Sequence, residues 1–313
     1  MKEITIILND VSPVLFYGVH NCNLQMLRSL YPKVRLVGRD NVLKLYGDNE
    51  QLEILSNVIS LMEKHLYKYN KISLEDILNI TNGQKTDDEA SAGVICYNIN
   101  GKAIKAKTEN QQKLVDDFFA KDMVFAIGPA GTGKTYLSIA LAVKLLKEKQ
   151  IKKIIISRPA VEAGEKLGFL PGDMKEKIDP YLQPLYDALE DMIPQAKLND
   201  MMEKNIIQIA PLAFMRGRTL SDAVVILDEA QNTTSTQMRM FLTRMGWNTK
   251  MIITGDPAQI DLPRGVKSGL IEATTLLQHI PELSIITMSG RDIQRHHLVS
   301  KIVKAYETSL PQQ

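Results

Sequence analysis

Eight residues constrain this chain more than any others: Gly128-Pro129-Ala130-Gly131-Thr132-Gly133-Lys134-Thr135. They match G-x-x-x-x-G-K-[ST], a run whose glycines let successive backbone N–H groups turn toward one phosphate at a helix N-terminus. The flanks supply the context the motif requires. Met123–Ile127 is an apolar strand candidate, and Leu137, Ala140, Leu141 and Lys144 follow at helical spacing. In such a loop Lys134 reaches the β- and γ-phosphates, and the Thr135 hydroxyl ligates Mg²⁺.

Short apolar runs recur from Thr108 onward, at Met123–Ile127, Ile154–Ser157, Ile206–Ile209, Val224–Leu227, Met251–Thr254 and Ser284–Met288. Alternating with helical segments, they predict a parallel sheet buried on both faces. The fold class expected for residues 108–313 is therefore α/β, a RecA-like P-loop domain. Two of these strands end in polar residues suited to nucleotide chemistry. Val224–Leu227 runs into Asp228-Glu229, at the carboxyl edge where open α/β sheets bind ligands. Asp228 suits the Mg²⁺ shell and Glu229 suits polarising an attacking water. The run Met251–Thr254 leads into Gly255-Asp256-Pro257-Ala258-Gln259, which can bring Gln259 near a γ-phosphate as a sensor. No Asn-Lys-x-Asp guanine signature occurs, so ATP is favoured over GTP.

Residues 1–80 read as strand, helix, strand, strand, helix. Glu3–Leu8 is a strand candidate, Leu24, Leu27 and Leu30 have helical spacing, and Val34–Val37 and Val42–Tyr46 flank Gly38-Arg39-Asp40-Asn41. Leu52, Leu55, Ile59, Met62 and Leu66 then mark one helix face. This small α+β domain is compatible with a KH-type RNA-binding module or with a docking and assembly domain. A true G-x-x-G nucleotide clamp is missing, and Gly38–Asn41 is a weak substitute. Residues 81–107 read as a linker carrying a short hairpin about Asn100-Gly101.

Composition narrows the class further. The 38 basic residues nearly balance 36 acidic ones, so any nucleic-acid contact must be a local groove rather than bulk charge. The apolar runs are too short to span a bilayer, and Met1–Asp10 does not read as a signal peptide; a cytoplasmic, membrane-free protein is expected. Cys22 and Cys96 are read as reduced, buried thiols. His65, His279, His296 and His297 lack metal spacing, and Met201, Met202, Met238 and Met240 suit helix packing.

Longer motifs carry a family resemblance. Ser157 through Gly172, Pro211 through Leu220 continuing into Asp228–Asn232, Asp261-Leu262-Pro263, and the closing runs Arg295–Val299 and Ile302–Glu307 resemble the PhoH-like family of bacterial ATPases, over about Asn110 to Tyr306. That family resembles the motor core of superfamily-one helicases, with one RecA-like domain instead of two. The resemblance implies that Gln111 occupies the position that reads adenine; otherwise it is an exposed helix-start glutamine. It also implies single-stranded RNA as a partner, RNA or ribonucleoprotein remodelling, and an endoribonuclease partner in ribosomal RNA processing. The alternative is a nucleotide-gated adaptor or stress-response protein without strand translocation. A lone core leaves an arginine to be supplied to the γ-phosphate, from a neighbouring subunit in such assemblies. Arg295 is the favoured residue, with Arg264, Arg158, Arg216 and Arg218 as the others. A homo-oligomeric, hexameric ring is the expectation that follows, and Arg291 and Arg295 share a face if their segment is helical.

Overall fold

The computed structural model describes residues 2–8, 11–83, 93–159, 174–295, 298–299 and 302. The expectations placed on Ala160–Gly172, on the linker stretch 84–92, on His296 and His297, and on the closing Val303–Glu307 run lie outside the described residues. The chain divides into two compact units, Met1–Lys105 with Glu190–Leu198, and Ala106–Leu189 with Asn199–Gln313.

The first unit contains β1 (Lys2–Ile7), α1 (Pro13–Tyr17), α2 (Cys22–Leu30), β2 (Arg35–Arg39), β3 (Val42–Gly47), α3 (Asn49–Tyr69), α4 (Leu74–Thr81), β4 (Val94–Tyr97) and β5 (Ala103–Lys105). Its three-stranded sheet has the order β1-β3-β2 and is antiparallel throughout. Buried Leu43 and Leu45 meet Leu52, Leu55, Ile59, Met62 and Leu66 of α3, the helix stripe read from the sequence. Two helices escaped the periodicity reading. Pro13 opens α1 at a first-turn position, and Ser73 and Asp76 close a reciprocal capping box on α4. Gly38–Asn41 is no clamp loop. Gly38 pairs with Leu43 in the β2–β3 ladder, and Asp40 (φ 52°) makes the turn, so this backbone is already committed to a hairpin.

The hairpin expected around Asn100-Gly101 forms as β4 and β5, and it is grouped with the first unit rather than standing apart in a linker. The reason is hydrogen bonding: the Asn70 amide donates to the Tyr97 carbonyl at 2.8 Å, and Ile99 N–H donates to the Asp191 carbonyl at 2.8 Å. Cys96 is buried and Cys22 half-buried. His65 packs on the Tyr69 ring, and burial lowers its pKa despite Asp76 at 3.7 Å.

The second unit contains α5 (Glu109–Ala120), β6 (Met123–Ile127), α6 (Lys134–Lys147), β7 (Lys153–Arg158), β8 (Ile207–Pro211), β9 (Ala223–Leu227), α9 (Ser235–Leu242), β10 (Thr249–Gly255), α10 (Gly269–Leu277) and β11 (Leu283–Thr287); between β7 and β8 the chain runs through α7 (Met174–Met192) and α8 (Gln195–Glu203). All six expected strands form one parallel sheet, in the order β11-β6-β10-β9-β7-β8. Alternate residues point to opposite faces. Phe125, Ile155, Val225, Leu227, Met251 and Ile253 pack against Met238 and Phe241 of α9 and Leu270 and Ala273 of α10. Their neighbours Val124, Ala126, Ile154, Ile156, Val224, Ile226 and Ile252 are buried on the other side, where α6 crosses β7, β9 and β10. That two-sided burial is why these strands read as unbroken apolar runs rather than alternating ones. Among the described residues no helix is long and apolar enough to cross a membrane.

Strand order decides what meets at the carboxyl edge. β10 lies between β6 and β9, and β7 flanks β9 on its far side. The loop after β6, the acids after β9, the Gly-Asp turn after β10 and Arg158 at the end of β7 therefore share one rim.

Candidate active site

The phosphate loop joins β6 to α6 through three glycines at positive φ: Gly128 (149°), Gly131 (84°) and Gly133 (80°). Side chains avoid that region, so glycine holds the loop without strain. Gly128 also has no room for a Cβ, which would collide with the Met288 carbonyl. The loop is tied on both sides: Gly128 N–H donates to Gly255 O at 3.0 Å, and Gln294 N–H donates to Gly131 O at 2.8 Å. It ends at the α6 N-terminus, where first-turn N–H groups lack helical acceptors and favour an anion.

Lys134 lies folded along the loop and donates to the carbonyls of Gly128 (2.6 Å) and Pro129 (2.8 Å). Burial pulls its ammonium pKa down from 10.5; Asp256, Glu229 and Asp228 oppose that shift, and Arg295 adds to it. The lysine is thus a poorly solvated cation facing three carboxylates, placed to exchange its carbonyl partners for phosphate oxygens.

Asp228 is buried, and its Oδ1 accepts from Thr135 Oγ1 at 2.6 Å and from Thr254 Oγ1 at 2.7 Å. Thr135 and Asp228 thereby bring a hydroxyl and a carboxylate oxygen together, the hard donors that Mg²⁺ takes alongside phosphate and water. The donor set fits that ion, which supplies charge neutralisation to the phosphates when bound. Glu229 stands half-exposed beside it at φ 53°, ψ 39°. A non-glycine residue in the left-handed region costs about 1–2 kcal/mol, an expense typical of functional positions. The turn aims Glu229 into the cleft instead of along the strand.

Gln231 has no role in the sequence reading, yet it is the hub of the third motif. Fully buried, it accepts from Asp256 N–H at 3.0 Å and donates through Nε2 to Glu229 Oε2 (2.5 Å) and to the Gln259 carbonyl (3.1 Å). Gln259 donates to Asp256 Oδ2 at 2.7 Å and lines the same cleft, a cavity of about 260 Å³ that also receives Gly131, Lys134, Thr135, Asp228 and Glu229. The one available signal for Gln231 is its place two residues beyond Glu229, before a turn that must close against the next strand.

Gln111 is buried rather than exposed: its Nε2 donates to Thr132 O at 3.0 Å and its Oε1 accepts from Lys107 N–H at 2.7 Å. It braces the phosphate loop from below. Arg295 lies on the phosphate loop of its own chain and donates to the Ala130 carbonyl. Arg291 and Arg295 do not share a helix face. Gly290–Asp292 is one 3-10 turn, pinned where buried Asp292 accepts from Thr108 Oγ1 (2.5 Å) and Asn110 Nδ2 (2.8 Å), and the chain leaves it extended at Ile293. Those bonds and the Ser289 amide outweigh burial, which alone would raise the Asp292 pKa, and lower it instead.

The remaining arginines divide. Arg218 donates to Gln208 at 2.6 Å, whereas Arg216 and Arg264 are exposed. Arg158 pairs in cis with Glu229, Nη2 to Oε1 at 3.0 Å, and approaches Asp228 at 3.9 Å.

A glycine-rich loop at a helix start, a threonine–aspartate pair and a second carboxylate, gathered at the carboxyl edge of a parallel sheet, define a P-loop nucleotide-binding core. Residues 103–307 match the family described as PhoH-like protein. The PhoH-like protein of Bacillus subtilis (strain 168) is 50% identical over 279 residues, covering 88% of each chain. That of Mycobacterium tuberculosis (strain ATCC 25618 / H37Rv) is 46% identical over 303 residues, 95% of this chain and 86% of that protein. The chain belongs to the PhoH-like family. Among solved structures it is similar to the Sulfolobus solfataricus SWI2/SNF2 ATPase core in complex with dsDNA, at a TM-score of 0.38 and 13% identity, covering 62% of this chain and 46% of that one.

Proposed function

We propose that this protein binds ATP with Mg²⁺, hydrolyses it, and uses the hydrolysis to remodel RNA or an RNA–protein complex. The observation that carries the hydrolytic part is the convergence of Lys134, the Thr135–Asp228 pair and Glu229 on one cleft. Loop N–H groups and Lys134 hold the phosphates. Thr135 and Asp228 hold the ion. Glu229 orients a water and takes its proton on a carboxylate oxygen, the role of a base within hydrogen-bond reach. Gln259, linked through Gln231 to Glu229, is placed to register whether the terminal phosphate is present.

Support for the RNA part comes from Pro211–Leu220, which leaves the carboxyl end of β8 and contains two arginines and no acid. Buried Leu212 and Met215 anchor a 3-10 turn there, and this turn holds Phe214 outward with 58% of its surface exposed, next to exposed Arg216. A fixed aromatic beside a cation suits stacking on unpaired bases, worth about 1–3 kcal/mol per base.

The test is ATP turnover titrated with single-stranded RNA at low and high salt, beside a measurement of particle size. Stimulation that weakens with salt supports the reading. Phe214→Ala is expected to raise the half-stimulating RNA concentration by about tenfold, within the range a lost stacking contact gives. No response to RNA, with particle size changing on ATP, would favour a nucleotide-gated adaptor instead.

A further inference from the structure

Arg158 is the last residue of β7, beside β9 in the sheet, where Ser157 pairs in register with Leu227. Its guanidinium spans three acceptors. Nη2 meets Glu229 Oε1 at 3.0 Å, Nε faces Asp228 Oδ2 at 3.9 Å, and Nη1 donates to the Tyr181 carbonyl on α7 at 2.6 Å. The other Glu229 oxygen is held by Gln231 Nε2. Both oxygens of the one carboxylate suited to activate water are thus engaged by neighbours.

That arrangement opposes the chemistry proposed for Glu229. A general base must hold its water on a carboxylate oxygen, and here Arg158 and Gln231 occupy both. The pair is also only partly shielded, with Arg158 22% and Glu229 35% exposed, so it is able to exchange partners. Charge-assisted pairs of this kind are strong enough to hold a side chain and weak enough to be displaced by a more negative group.

We propose that Arg158 is a positioning residue that restrains Glu229, and that hydrolysis is released when the guanidinium leaves this carboxylate. The Tyr181 carbonyl is the second anchor, so the α7 turn that carries it governs the release. This rests on the hydrolytic reading of the site, whose regulation it specifies. Gln231 is a different kind of neighbour: it is neutral, fully buried and bonded to Asp256 and Gln259, so it fixes the direction of Glu229.

The experiment compares steady-state ATP turnover in the full chain as wild type, Arg158→Gln, Arg158→Lys, Glu229→Gln and the Arg158→Gln/Glu229→Gln double variant. Nucleotide binding and thermal melting are measured on each. Arg158→Gln is expected to raise kcat at least about fivefold, the scale of losing a charge-assisted restraint, with KM little changed. Arg158→Lys, which keeps the charge but loses the fork that spans Glu229 and Tyr181, falls between. The double variant is as inactive as Glu229→Gln, because the gain passes through that carboxylate. A folded Arg158→Gln with unchanged or lower kcat overturns the restraint, and a gain that survives in the double variant does the same. If Arg158→Gln does not fold, Arg158→Lys decides by the same direction of kcat. Nucleotide binding without turnover in wild type and both single arginine variants would instead overturn the hydrolytic reading, an outcome distinct from a turning-over wild type whose arginine variants gain nothing.

Discussion

Glu229→Gln is expected to abolish turnover while leaving nucleotide affinity within a few-fold of the wild type. Glutamine keeps the volume and an acceptor oxygen but cannot take a proton from water, so the loss should fall on the chemical step, by about 10²–10⁴-fold. Phosphate binding depends on the loop amides, Lys134 and the Thr135–Asp228 pair, none of which the substitution alters. The left-handed backbone at this position is no harder for glutamine than for glutamate. Single-turnover hydrolysis beside a nucleotide titration separates the two effects. Near-normal hydrolysis would remove Glu229 from the mechanism and pass its role to a water held by other groups.

Lys134→Ala should damage both steps. The lysine ammonium is mostly withdrawn from water and faces Asp228, Glu229 and Asp256, so its removal leaves three carboxylates lining a cleft that must admit a polyanion. Phosphate binding then meets repulsion where it met attraction, and the transferring phosphoryl group loses a preorganised cation, a donor worth about 10²–10³ in rate at comparable sites. The expected result is weaker nucleotide binding together with kcat/KM lowered by about 10³-fold or more. Binding and turnover both near the wild-type values would count against the phosphate-loop assignment. The two substitutions make a pair: one separates binding from chemistry, the other removes both.

The sequence made the sheet legible because burial on both faces leaves unbroken apolar runs such as Val224–Leu227 and Met251–Thr254. The phosphate loop was legible for a different reason, since glycines at fixed offsets report a backbone requirement that the structure meets with three positive φ angles. Side-chain partnerships were less accessible. Arg158 meets Glu229 because β7 lies beside β9, and strand order is set by packing of the whole sheet rather than by any local pattern. Gln111, which the resemblance implies either as an adenine reader or as an exposed glutamine, is buried with its amide bonded to Thr132 of the phosphate loop. Arg291 and Arg295 had helical spacing, and buried Asp292 overrode it by fixing a 3-10 turn through Thr108 and Asn110, far away in sequence. In each case the deciding contact joins segments that only the tertiary fold brings together.

The ties around the phosphate loop carry one more consequence. Gly128 bonds across to Gly255, Met288 N–H bonds to Ile127 O at 2.6 Å, and Gln294 N–H bonds to Gly131 O, so the loop is laced to the ends of β10 and to the chain that follows β11. Opening it requires breaking bonds to both neighbours, and local opening is what permits amide hydrogen exchange. The loop should therefore exchange as one cooperative patch with Gly255 and Met288 rather than as a floppy insertion. Slowed exchange on adding nucleotide should spread along that seam, to amides that touch no phosphate.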